Sequence, residues 1–368
     1  MGLNERVNAT IDAALGSRIV GCVVLVNQNG KPVFSRTAGY ADREAGRKTA
    51  DNEIFRLASC TKPIVATAAL VMIDKGLLSL DDPVGKYLPF FKPRAPDGST
   101  PDILIRHLLT HTSGITYEVP TDVSTGSDPG PAMGLEENLR RLSRVTLAFA
   151  PSTAWEYGMS IDVLGGVLAA INGNGDDLEA PVYKHVTGPL GMIDTRFYAT
   201  DPKRLAHPYA DAKPQPLRMG EPQEVHNDPE NPDTVDVFSP GRIFLTDRPQ
   251  CAGSSMAGTA HDFMKLMDAL TVGDLLKPTT RDAAFANQIG AVERPKNPGQ
   301  NFGLVGAVID DAARSGWHKK GLLQWGGIWG NNWMIDPETK TTVVVMTNTM
   351  REGCDGPFRD EVRDAVFG

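Results

Sequence analysis

The dipeptide Asn29-Gly30 is the tightest constraint on how this chain can fold. It separates two runs, "VGCVVLV" and "KPVFSRTAGYAD", whose residues favour extended backbone. A two-residue turn of this kind needs left-handed backbone at both central positions, which asparagine and glycine tolerate, and it returns the chain antiparallel to itself. A hairpin is therefore predicted at residue 30. A second extended block, "GLLQWGGIWGNNWMIDPETKTTVVVMTNT", lies near the other end, with a turn predicted at Asp336-Pro337-Glu338. Val7, Ile11 and Leu15 are spaced by four at the start, and a closing helix is predicted over roughly 357–366. Strand pairs and helices at both ends predict an α+β fold, an antiparallel sheet flanked by helices to which both chain ends contribute.

The middle has another character. "DDPVGKYLPFFKPRAPDGSTPD" and "DPENPDTVDVFSPG" read as long Pro/Asp-rich loops, while "ILIRHLLTHTSGI" and "SIDVLGGVLAAI" carry helical patterns. The expected organisation is a discontinuous α/β domain formed by 1–76 and 241–368, an inserted, mainly helical domain over 77–240, and a site at their junction.

Composition excludes several classes. A formal charge of -8 disfavours a nucleic-acid partner, which calls for concentrated Lys and Arg. Apolar runs such as "VATAALVMI" fall far short of the roughly 20 residues of a membrane span. The four cysteines, Cys22, Cys60, Cys251 and Cys354, are scattered without metal spacing, and no export signal is evident at the start. A reduced, cytoplasmic chain with free thiols is expected, with no metal and no cofactor. His107 and His111 have the spacing of a zinc-binding helix, but no Glu follows His107.

The chemistry centres on "FRLASCTKPIVATAALVMIDKGLL". Ser59 and Lys62 lie three residues apart where a helical pattern begins, so both face one side of the helix start. Free helix amides there favour an alkoxide, and a lysine in reach could activate the hydroxyl. The same residues could equally serve as an N-cap, Ser59 or Thr61, followed by a solvated lysine.

Longer segments decide for the chemical reading. "FRLASCTKPIVATAALVMIDKGLLSLDDPVGKYLP", "IRHLLTHTSGI", "FAPSTAWEYGMSIDVLGGVL", "PLGMIDTRFY", "CAGSSMAGTAHDFMKLMDAL" and "LLQWGGIWGNNWMIDPE" follow one another in order. Together they resemble the serine beta-lactamase and penicillin-binding protein superfamily, in its class C-like branch, which also holds the family VIII carboxylesterases. The resemblance implies the beta-lactamase-like (DD-peptidase) fold. It also implies Ser59 as acylated nucleophile, Lys62 as its helix partner, Tyr157 as the tyrosine of the second motif and Trp325-Gly326-Gly327 as the third motif, on an edge strand. The oxyanion would be held by the backbone amides of Ser59 and Ile328. Lysine and tyrosine are both poor bases at neutral pH when isolated. Placed together each aids the other, so Lys62 and Tyr157 are assigned jointly as base and later acid.

Two departures bear on the substrate. Relatives acting on lactams usually place Asn or Ser where Met159 stands, and a cationic or hydrogen-bonding side chain where Trp325 stands. Both changes predict a more apolar site suited to uncharged small esters, although Arg242, Lys319 or Lys320 could still reach it. Trp329 and Trp333 alternate with Trp325, which on one continuous strand would put all three on one face, as pocket lining or as core. Trp155 is expected to be mainly structural, Glu156 a surface charge and Cys60 a buried packing residue. The expected activity is cleavage of small carboxylic esters through an acyl-Ser59 intermediate. Rivals are a beta-lactamase, D,D-peptidase or D-aminopeptidase, or a non-catalytic binding member of the fold. Oligomeric state is not legible.

Overall fold

The computed structural model describes residues 1–226 and 235–368; the Pro/Asp-rich segment 227–234 lies outside the described residues. Its centre is an eight-stranded sheet in which every pairing is antiparallel. Strands Gly21–Gln28 and Lys31–Asp42 form the predicted hairpin, with Asn29 and Gly30 at φ 52° and 70°. The last strand, Thr341–Thr347, pairs with Gly21–Gln28 from Cys22 opposite Thr347 to Gln28 opposite Thr341. Both chain ends therefore meet in the middle of one sheet. Asp336 accepts from the amides of Glu338 and Thr339, which closes the turn before Thr341–Thr347.

Period-two alternation supplies both faces of the sheet. Val24, Val26, Val343 and Val345 face one way, onto the helices Leu3–Ala14 and Pro357–Phe367 through Val7, Ile11, Phe358 and Val362. Val23, Leu25, Val344 and Met346 face the other way, onto Leu266 and Leu270 of the helix Ala260–Thr271. Each fully buried aliphatic side chain contributes about 1.5–3 kcal/mol, so covering both faces makes these central strands the firmest part of the frame. The second apolar cluster continues through the helix Thr61–Asp74 into Leu108, Leu139 and Leu164, so one core runs from the sheet into the loop-rich middle segment. Within that segment the helix Ser160–Ile171 packs on Thr61–Asp74. No helix among the described residues is long and apolar enough to cross a membrane.

Candidate active site

Ser59 sits in a single 3-10 turn, Ala58–Cys60, that runs directly into Thr61–Asp74. It is not an N-cap, because neither helical turn has a side-chain cap, and the Thr61 hydroxyl instead accepts the amide of Met256. Ala58 has φ of 44°, a left-handed conformation that is costly for a residue with a Cβ. This bend aims the next residue, Ser59, into a cavity of about 450 Å³.

Lys62 lies one turn on, 4% exposed. Its Nζ donates to Ser59 Oγ at 3.3 Å, to Tyr117 Oη at 2.9 Å and to the carbonyl of Gly253 at 2.9 Å. Three acceptors match the three N–H groups of an ammonium. Burial pushes the lysine pKa down, but Tyr117, Tyr157 and Asp162 outweigh it, so the net direction is upward. Asp162, fully buried in the first turn of Ser160–Ile171, accepts the Gly253 amide through Oδ1, while Oδ2 has no hydrogen-bond partner among the described residues. Burial raises its pKa to about 6 against the pull of Lys62 and the Gly253 amide. Burial likewise pushes the Tyr117 hydroxyl up, against the pull of Lys62.

Tyr157 completes the wall. Lys62 Nζ stands 4.6 Å from its ring centroid, and its hydroxyl accepts from Trp325 Nε1 at 3.2 Å. His111 packs 4.7 Å from the same ring, and burial holds its pKa well below the usual value, so it is neutral. The strand Leu323–Gly327 is not the sheet's edge: Ala307–Ile309 pairs with its first half, leaving Trp325–Gly327 unpaired on that side. A Cβ on Gly327 would overlap the Leu57 carbonyl and stand 3.2 Å from the Cys60 amide, so only glycine lets this strand approach the serine turn so closely. The Ile328 amide, which follows it, donates to no acceptor among the described residues. Ile328, Trp325 and Gly326 all line the cavity with Ser59.

Other residues singled out in the sequence fall elsewhere. Met159 is fully buried in the main core and does not line the cavity. Trp329 is not on one strand with Trp325: the chain turns at 328–330, and Trp329 packs on Phe238 and Met350 in a separate cluster. Trp333 sits opposite Trp325 across the hairpin and is core. Arg242 donates to the Pro249 carbonyl, Lys319 pairs with Asp336 and Glu338, and Lys320 pairs with Asp310, so none reaches the cavity. His107 bonds the Leu104 amide and the Ser152 hydroxyl, and no cluster of three metal-ligating side chains forms among the described residues. Cys60 is a buried thiol whose pKa burial pushes upward. Trp155 lines the cavity as well as packing within it, and Glu156 stands exposed at its mouth.

Tyr117, Asp162 and the Gly253 carbonyl were missed. Nothing local marks them: Tyr117 is a lone aromatic in a loop, and Asp162 looks like an ordinary acid in a helix's first turn. Arg294, which also lines the cavity, comes from another loop.

The sheet topology, the turn and following helix that carry Ser59 and Lys62, and the facing tyrosines define a beta-lactamase-like fold with its cleft beside the sheet. The chain belongs to the beta-lactamase family, whose model matches residues 7–366. It is 41% identical to Esterase EstB of Burkholderia gladioli, covering 99% of this chain and 95% of that protein. Among solved structures it resembles EstCE1, a hydrolase with promiscuous acyltransferase activity, at 34% identity and a TM-score of 0.94, covering 100% of this chain and 98% of that one. The octameric penicillin-binding protein homologue from Pyrococcus abyssi shares the fold at a TM-score of 0.75 and 20% identity, covering 100% of this chain and 77% of that one.

Proposed function

We propose that Ser59 is the nucleophile of a carboxylesterase that works through an acyl-enzyme, with Lys62 as a permanent cation and Tyr157 as base. The chain is a serine ester hydrolase of the beta-lactamase fold acting on small molecules, as its likeness to EstB and EstCE1 supports. The observation that carries the assignment of roles is the surroundings of Lys62: three acceptors on its three N–H groups and a buried carboxylate nearby. An ammonium so held cannot take the serine proton. The Tyr157 hydroxyl, bonded by an indole N–H and facing the same cavity, is the remaining base.

In the acylation step Tyr157 acts as a phenolate, stabilised by the Lys62 ammonium and the Trp325 N–H; it takes the Ser59 proton and becomes a phenol as Ser59 Oγ attacks the ester carbonyl. The carbonyl oxygen turns its negative charge to the amides of Ser59 and Ile328, each typically worth about 2.7–4 kcal/mol in the transition state. Tyr157 returns the proton to the leaving alcohol, and water then repeats the sequence on acyl-Ser59. In this reading the site lies where 1–76 and 241–368 meet the segment 77–240. Four free cysteines, three of them buried, favour a reducing, cytoplasmic setting.

The test is mass spectrometry after a short-chain 4-nitrophenyl ester or a fluorophosphonate. An adduct on Ser59 in the wild type, lost together with turnover in Ser59→Ala, is expected. Full turnover by Ser59→Ala would refute the assignment.

A further inference from the structure

Arg294 is 4% exposed and lines the same cavity as Ser59. Burial pushes its guanidinium down to about 9, and no acid among the described residues offsets that burial. Among the described residues its one hydrogen bond is a long one, from Nη1 to the Asn301 carbonyl at 3.3 Å, and its Nε has no acceptor. Arg56 shows the contrast: it donates to the Pro240 carbonyl from Nε and Nη2 and to the Ala206 carbonyl from Nη1, and Glu221 offsets part of its burial.

Aromatic faces hold Arg294 in place. Its guanidinium carbon lies 4.2 Å from the Trp155 ring centroid, 5.5 Å from Phe302 and 5.6 Å from Trp325. Cation–π contact offsets part of the cost of burying the charge, but it engages the face of the guanidinium and leaves the in-plane N–H fork unsatisfied. That fork is the element that matches a carboxylate in a bidentate pair. Lys296 at the same mouth adds positive charge, whereas Glu156 is exposed and forms no ion pair with Arg294 among the described residues.

We propose that Arg294 binds a substrate carboxylate, so that the cavity takes esters carrying a free carboxylate, such as half-esters of dicarboxylic acids, with the ester carbonyl at Ser59. The inference rests on Ser59 as the acylated residue. It departs from the uncharged substrates that Met159 and Trp325 suggest in the sequence.

The test compares kcat/KM for the 4-nitrophenyl half-ester of adipic acid with that for its methyl-capped, neutral counterpart. The wild type should prefer the half-ester. That preference should fall about 10- to 100-fold in Arg294→Gln, the range of a lost charge-assisted pair, and survive in part in Arg294→Lys. Free adipate should inhibit the wild type competitively. An unchanged preference in Arg294→Gln, or no preference in the wild type, overturns the proposal. If Arg294→Gln does not fold, adipate inhibition of the wild type decides, and its absence overturns the proposal. Fluorophosphonate labelling separates the two readings: an unlabelled Ser59 removes the nucleophile assignment, and calorimetric binding of adipate to the wild type then tests Arg294 alone.

Discussion

Asp162→Asn tests the charge state of Lys62. A Cβ built on Gly253 would stand 2.6 Å from Asp162 Oδ2 and 3.2 Å from Lys62 Nζ, so the two charged atoms are within about 6 Å of each other. They form no direct ion pair, so a separation of about 5 Å is a fair working value. Two unit charges at that distance interact by about 3 kcal/mol at an effective dielectric constant near 20. At about 1.36 kcal/mol per pKa unit, this is a little over two units of support for the ammonium. Without the carboxylate, burial, which already pulls the lysine down, meets less opposition. The wild type should therefore keep its kcat/KM for a neutral ester through alkaline pH. Asp162→Asn should show an alkaline limb about two pH units below any limb of the wild type. The same change has a stability signature. Raised from 3.8 to about 6, the Asp162 carboxyl stabilises the fold below about pH 3.8, and that contribution of about 3 kcal/mol is lost as pH rises through 6. Relative to Asp162→Asn, the wild type should lose about that much between pH 4 and pH 7 in urea unfolding. An unmoved alkaline limb would refute the reasoning. A variant more active than the wild type at neutral pH would show that a neutral Lys62 is the base.

Three further substitutions probe the neighbours. Tyr117→Phe removes one acceptor of the Lys62 ammonium, a hydrogen bond to a charged group worth about 1.5–3 kcal/mol. Steady-state kinetics should show kcat/KM down about 10- to 100-fold while Ser59 is still labelled slowly. Trp325→Phe keeps an aromatic ring against Phe302 but removes the N–H bonded to Tyr157 Oη. Turnover number should fall about tenfold, with the melting temperature changed by only a few degrees. Gly327→Ala forces the strand off the serine turn, since its Cβ meets backbone atoms of Leu57 and Cys60. Activity should fall by about 100-fold or more, as loss of an oxyanion donor does, and a fully active Gly327→Ala would mean the strand does not set the site.

What the sequence shows of this fold is what period and turn chemistry control. Asn29-Gly30 could turn only one way, and the two extended runs it joins are the paired strands of the hairpin. Ser59 and Lys62 were legible for the same reason, because three residues on a helix fix their relation. The three-tryptophan reading failed because it extended the period through Ile328. Gly330, at φ 108°, turns the chain there, and Trp333 returns opposite Trp325 instead of following it.

The residues that surround Lys62 and the cavity arrive from separate segments and leave no local trace. Tyr117, Asp162, Gly253 and Arg294 come from four segments that the chain brings together only once the core is packed. This is why the sequence shows the aromatic wall of the cavity but not the guanidinium packed against it. Met159, counted as lining, is the residue before Ser160–Ile171 and points into the core, while Trp325 does meet the cavity but carries Arg294 on its flank. An aromatic wall read from sequence is apolar; the same wall with a buried guanidinium lying along it is a cationic surface. Selectivity in this pocket therefore turns on whether a substrate brings a negative charge to that guanidinium, more than on how greasy its acyl chain is.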